Sequence, residues 1–292
     1  MRLDRRGLLG TLALGTLAAC APPRDNYRRG GVLALDWALA ETAIVLGTDP
    51  AGVIAVSDWS RFVIEPALPA GVADLGLQQE LNFELMAALR PRLFLISPFL
   101  DRVKPDLDRI APSVNLSVYE PPEAPLSHRM ALTRELAEHL DAAPACELYL
   151  RQLEVLGERL RHQLGALERK PVLMVSFVDN RHARVYGGSS LYADTMAWLG
   201  LENAWTEPVG FYGFGTVGIE QLASLRDIEL VAVEPVPPDI ERALDSSPLW
   251  RELPLVKAGQ VGRIPPAFMF GALPSARRFA LLLVDHLTRK WT

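Results

Sequence analysis

Cysteine is almost absent. The 292 residues carry only Cys20 and Cys146, so no disulfide framework holds this fold, and a core must do so instead. Histidine is sparse as well. His128, His139, His162, His182 and His286 are scattered, and none stands in a spacing that would gather a bare metal ion. The signatures of common chemistry are missing too. There is no Gly-x-Ser-x-Gly elbow, since Gly187-Gly-Ser-Ser190 has the wrong spacing. There is also no phosphate-cradling Gly-x-x-x-x-Gly-Lys and no dinucleotide Gly-x-Gly-x-x-Gly. These gaps argue against an enzyme, an exported hydrolase included, and imply no cofactor. Basic clusters are lacking: the net charge is −5, and three Arg and one Asp within residues 1–19 leave the remainder at −7. Such an acidic body excludes nucleic acid as the natural partner.

What is present begins with an address. Arg2, Arg5 and Arg6 precede the apolar run Gly7–Ala19, which is too short to span a bilayer and fits a cleaved export signal over residues 1–19. Arg5-Arg6 admits the twin-arginine route as well as the Sec route. Leu17-Ala-Ala-Cys20 resembles a bacterial lipobox, in which Cys20 would be acylated. Ordinary cleavage nearby is the alternative, although Pro22 disfavours a cut after Ala21. Acylation would leave residues 20–30 as a short tether on the membrane.

The body of the chain echoes itself. Glu84-Leu-Met-Ala-Ala-Leu-Arg90 returns 136 residues later as Glu220-Gln-Leu-Ala-Ser-Leu-Arg226, with four of seven positions identical. Both copies follow a helix start (Asn82, Gly218) and run into apolar segments, Leu93–Ser97 and Leu230–Val233. Short apolar runs alternate with helical spacings on either side. That pattern predicts parallel α/β lobes, with strands such as Gly31–Leu35, Val53–Val56 and Pro171–Phe177 and a last helix over Ser275–Thr288. Between the copies, Ala145–Glu168 repeats apolar residues every three or four positions, at Tyr149, Leu153, Leu156, Leu160, Leu164 and Leu167. A helix of that length runs roughly 36 Å and would bridge the lobes, unless it packs within one of them. The expected division is a first lobe at 31–143, a connecting helix at 144–169 and a second lobe at 170–292, with a ligand cleft between the lobes.

Several stretches carry a resemblance. Ala34-Leu-Asp-Trp37, Val63-Ile-Glu-Pro-Ala-Leu-Pro69, Asp74-Leu-Gly-Leu77, Asn82-Phe-Glu-Leu85 and Arg109-Ile-Ala-Pro112 mark the first half. Asp179-Asn-Arg-His182, Asn203-Ala-Trp205, Tyr212-Gly213, Gly218-Ile-Glu-Gln-Leu222, Pro248-Leu-Trp250 and Phe268–Gly271 mark the second. In this order the chain resembles the periplasmic binding proteins of iron–siderophore and vitamin B12 ABC importers, most of all those for ferric hydroxamates. The resemblance implies two α/β lobes on a helical backbone and a monomer. It implies a ferric siderophore as ligand and an ABC permease dimer with its ATPase as partner.

By the same resemblance Phe62, Tyr212 and Phe268 would face the ligand, though each could equally be a core aromatic. The arginine that relatives place near the iron is Gln78 here, and a tyrosine expected near Phe99-Leu100 is missing. Arg61 and Arg181 are candidate replacement cations, which would suit a carboxylate or citrate ligand as well as a hydroxamate. Glu84 and Glu220 correspond to the glutamates that dock into arginines of the two permease subunits. Helix-dipole stabilisation alone would also account for carboxylates in a first turn. Haem or a corrinoid is the alternative ligand, with Tyr192 or Tyr212 available to haem iron. A surface protein that has lost transport is a further alternative.

Overall fold

The computed structural model describes residues 29–119, 126–167 and 169–291. The export signal, Cys20 and nearly all of the tether lie outside them. Through the first lobe the elements are β1 (Val32–Ala34), α1 (Trp37–Val45), β2 (Gly52–Val53), α2 (Val56–Phe62), β3 (Ala73–Asp74), β4 (Gly76–Leu77), β5 (Glu80–Leu81), α3 (Phe83–Leu89), β6 (Leu93–Ile96), α4 (Lys104–Leu107), β7 (Ser113–Asn115) and α5 (Leu126–His139). The chain then crosses on α6 (Ala143–Gly165). Beyond it come β8 (Val172–Phe177), β9 (His182–Tyr186), α7 (Leu191–Trp198), β10 (Phe214–Gly218), β11 (Glu229–Val233), α8 (Pro238–Ser246), α9 (Pro248–Glu252), α10 (Pro254–Lys257), β12 (Val261–Ile264) and α11 (Leu273–Trp291).

Each lobe is built on a five-stranded sheet, ordered β3-β2-β1-β6-β7 in the first and β10-β9-β8-β11-β12 in the second. The orders correspond strand for strand. The first sheet is parallel throughout. The second is not, because β9 runs antiparallel to both β8 and β10. This corrects the expectation of two parallel sheets, and its cause is short: only Val178–Arg181 separate β8 from β9, far too few residues for a crossover helix. Two local readings also change. Val53 ends its strand and Val56 opens a helix. The second repeat copy is a 3-10 helix, Ile219–Ser224, where the first is α-helical.

Helix α6 starts two residues before the expected Ala145, because Pro144 sits in its first turn and needs no amide partner there. Its apolar stripe serves both lobes. Cys146, Leu150 and Leu153 join one core cluster with β1, α1 and α5, while Leu156, Leu160 and Leu164 join another with β8 and α7. Gly157 is needed in this stripe, since a Cβ there would come within 2.2 Å of the Trp198 ring. Helix α11 also spans both, with Leu273 and Ala276 in the first cluster and Phe279, Leu283 and Leu287 in the second. Two helices therefore join the lobes, and the expected boundary at residue 170 leaves out the return of α11.

Polar bonds cross the same seam. Glu41 of α1 is fully buried and accepts from the Ala272 amide at 2.6 Å and the Ser275 hydroxyl at 2.6 Å, at the start of α11. Arg129 of α5 meets Asp194 of α7 at 3.0 Å, and Arg278 of α11 meets Glu65 at 2.7 Å. A buried charge such as Arg129 costs heavily if its partner moves away. The seam is therefore built to hold its geometry.

Candidate functional site

The carboxyl ends of β1, β2, β6 and β7 open towards those of β8 and β11, which is where open α/β sheets place their ligands. A crevice lies there in two adjoining compartments. The first, about 500 Å³, takes Trp37, Gln78, Phe99, Tyr119, Tyr212 and Phe214 among its walls. The second, about 450 Å³, is lined by Arg61, Phe62, Ser176, Arg184, Tyr186 and Glu234, among others. Trp37, Phe268 and Phe270 face both.

Local sequence puts the rings there. Trp37 follows Asp36, whose carboxylate accepts from the amides of Ala38 and Leu39 and so starts α1 at the crevice floor. The Trp37 indole N–H donates to the Ile54 carbonyl at 2.8 Å, which fixes the ring's position in the wall. Tyr212 is presented by Gly213, whose φ is +76° and whose Cβ would lie 2.3 Å from the Ser190 nitrogen. Only glycine fits there. Tyr212 then stacks on Phe99 at 5.9 Å and meets Tyr119 edge-on at 5.6 Å, so rings from both lobes touch across the crevice. Leu77 and Phe99 are 52% and 55% exposed, an open apolar rim of the kind that binding sites show.

Polar groups in the first compartment are few. Gln78 occupies the tip of the β4–β5 hairpin. Burial raises the pKa of Asp36, against the opposing bonds from Leu39, Ser97 and Ala38. Tyr119 is buried, and its hydroxyl has no hydrogen-bond partner among the described residues. Burial pushes its pKa upward, so it stands as a neutral O–H donor. In the second compartment the cations are Arg61, 5.1 Å over the Phe62 ring, and Arg184, 5.0 Å over the Phe214 ring.

The structure gathers most of the residues singled out from sequence. Phe62, Arg61, Gln78, Tyr212 and Phe268 all line the crevice, and Tyr212 and Phe268 also pack against the first core cluster. Arg181 does not line it. Its amide bonds the Asp179 carboxylate and its carbonyl accepts from Ile219, which fixes it in the β8–β9 turn. Arg184, three residues on, lines the second compartment instead. Tyr192 is fully buried and donates to the Ala267 carbonyl at 2.5 Å, so its oxygen is already engaged and cannot reach a haem iron without breaking that bond. Phe211 is exposed against Tyr119 and lines neither compartment. Sequence reasoning passed over Trp37, Phe99, Tyr119 and Arg184 as site residues. The first three fall just beyond the ends of β1, β6 and β7, which was the available signal.

Glu84 and Glu220 lie outside the crevice. Each is exposed in the first turn of its helix, and each precedes the strand beside its sheet's central one, β6 or β11. Among the described residues, no group of three or more His, Cys, Asp or Glu side chains is placed to hold a metal ion. None of their helices is long and apolar enough to cross a membrane.

Comparison with known proteins agrees with this geometry. A family model described as periplasmic binding protein matches residues 32–268. The chain is 31% identical over 293 residues to the iron(3+)-hydroxamate-binding protein FhuD of Escherichia coli (strain K12), covering 99% of this chain and 98% of that protein. It is similar in structure to the Fe3+–Desferal-bound siderophore-binding protein FhuD of Vibrio cholerae, with a TM-score of 0.83, 24% identity and coverage of 90% of this chain and 100% of that one. FhuD2 of Staphylococcus aureus with bound ferrioxamine B aligns at a TM-score of 0.69 and 16% identity, over 91% of this chain and 100% of that one. The chain belongs to the periplasmic binding protein family.

Proposed function

We propose that this protein captures a ferric siderophore of the hydroxamate or carboxylate type in the crevice between its lobes and delivers it to an ABC permease. One observation carries the reading. The crevice is walled by rings from both lobes and holds only a few polar groups, a surface suited to a chelate's carbon skeleton with hydrogen bonds at selected oxygens. The names of the relatives from E. coli, V. cholerae and S. aureus support iron chelates as the ligand class. A hexadentate chelator fills the iron's coordination shell itself, so the protein need supply no direct ligand. Glu84 and Glu220 would meet the two permease subunits, one from each lobe. Export, with Cys20 acylated, would hold the protein at the membrane as a monomer.

The test is a titration followed by tryptophan fluorescence, for which Trp37 is placed in both compartments. The full chain is titrated with ferrioxamine B, ferric citrate, a ferric catecholate, haem and cobalamin. Quenching is expected at micromolar or lower concentrations for at least one ferric chelate. Quenching by haem or cobalamin alone would replace the ligand, and silence with all iron chelates would end the reading.

A further inference from the structure

The second compartment holds two guanidiniums that the first lacks, and they come from opposite lobes. Arg61 closes α2 in the first lobe, and Arg184 lies on β9 in the second. Each is seated over a ring, at 5.1 Å on Phe62 and 5.0 Å on Phe214. A continuous run of rings connects the two seats. Phe62 contacts Trp37 at 6.5 Å, Trp37 contacts Phe268 at 5.3 Å, Phe268 contacts Phe270 at 5.9 Å and Phe270 contacts Phe214 at 6.4 Å. A guanidinium stacked on a ring is held in orientation while its N–H edge stays open to a carboxylate.

Neither arginine forms an ion pair with a described residue, and the nearby acids are engaged elsewhere. Glu65 bonds Arg278, Asp179 bonds His182 and Glu241 bonds Arg263. Glu234 is the one acid on the compartment's wall, set against two cations. The molecule as a whole is anionic, at −5, so its overall field would repel an anionic ligand. A pair of cations inside a crevice reverses that sign locally.

We propose that the second compartment is an anion subsite, in which Arg61 and Arg184 together hold a free carboxylate on one arm of the chelate while the aromatic run packs its skeleton. The inference rests on the siderophore reading above and adds to it a preference for ferric chelates with an acidic arm. It also assigns the discrimination to two residues outside the Gln78 hairpin.

Ferrioxamine B and its N-succinyl derivative make the test. Succinylation exchanges the pendant ammonium for a carboxylate and leaves the iron's ligands untouched. The full chain should bind the succinyl form on the order of tenfold more tightly, the worth of one charge-assisted hydrogen bond. Added salt should narrow the gap. In the double variant Arg61→Gln, Arg184→Gln the ratio should fall to near one, because the succinyl form loses its partners and the ammonium form loses its repulsion. Glu234→Gln, which leaves both arginines in place, should widen it. Equal binding of the two chelates, or a ratio unmoved by either variant, overturns the subsite and leaves the siderophore reading standing. Binding of neither chelate, and of no ferric chelate in the wider titration, overturns both.

Discussion

The two lobes share a plan at their centres and part at one edge. In both, a short helix carrying a glutamate in its first turn leads into the strand beside the central one. At the edge, the first lobe reaches β2 and β3 by crossovers and stays parallel, whereas the second doubles back through a hairpin and reverses β9. Reversal matters for the site. It brings the start of β9 beside the crevice end of β8, and with it Arg184. In the first lobe the matching strand, β2, enters the crevice by its other end, with Ile54 and Ala55. The lobes are alike where a two-fold partner would touch them and unlike where a single asymmetric ligand would lie.

The largest expected effect tests the likeness. Glu84→Ala with Glu220→Ala should abolish uptake of the iron chelate in iron-limited cells that carry the cognate permease. Chelate affinity measured by fluorescence should be unchanged, because neither residue lines the crevice. The single variants sharpen the point. If the lobes are equivalent at their tips, each should lower uptake to a similar degree. Uptake that survives the double change would reduce both glutamates to helix-start residues, worth roughly 0.3–1 kcal/mol each.

How much of this was legible in sequence depends on the kind of signal. The stripe on α6 was readable because burial of Leu153, Leu156, Leu160 and Leu164 obeys helical spacing, and spacing survives in sequence. The sense of β9 was not read, since parallel and antiparallel strands draw on the same residues. Its alternation of exposed His182 and Arg184 with buried Ala183 and Val185 was a hint, for antiparallel strands with one solvated face alternate in this way. That same alternation marks Arg184 as outward-facing. The two repeat copies share four of seven residues yet fold as an α-helix and a 3-10 helix, so local sequence did not decide the form. In the crevice, Phe62, Tyr212 and Phe268 were found through resemblance, whereas Tyr119 needed the fold to carry it from the end of β7 to Tyr212.

A second effect concerns the seam that keeps the unlike lobes in register. Burial raises the Glu41 pKa to about 8, against the bonds from Ser275 and Ala272 that oppose the shift. In the unfolded chain the group titrates near 4.5. Between those values the folded chain holds a proton that the unfolded chain has released, so stability falls as pH rises through the window. The stabilising contribution of neutral Glu41 is complete below about pH 4.5 and gone above about pH 8. Melts at pH 5 and pH 8 should show a loss on the order of a few kcal/mol across the interval. Glu41→Gln, which keeps an acceptor and does not titrate, should flatten the slope. Equal slopes for both proteins would mean that Glu41 is not the titrating link between α1 and α11.

The smallest effect separates the lobes' contributions to the first compartment. There the second lobe offers Tyr212 mainly as a ring, stacked on Phe99 and edge-on to Tyr119. The first lobe offers Tyr119, buried and with its O–H unpaired among the described residues. An unpaired buried hydroxyl is costly, and an acceptor oxygen on a chelate would relieve that cost. Tyr119→Phe should therefore weaken binding several-fold, near 0.5–1.5 kcal/mol, while raising thermal stability slightly. Tyr212→Phe keeps the ring and should change affinity less. If the two substitutions weaken binding equally, Tyr119 adds only its ring, and the polar contribution of the first lobe must come from Gln78 or Ser97 instead.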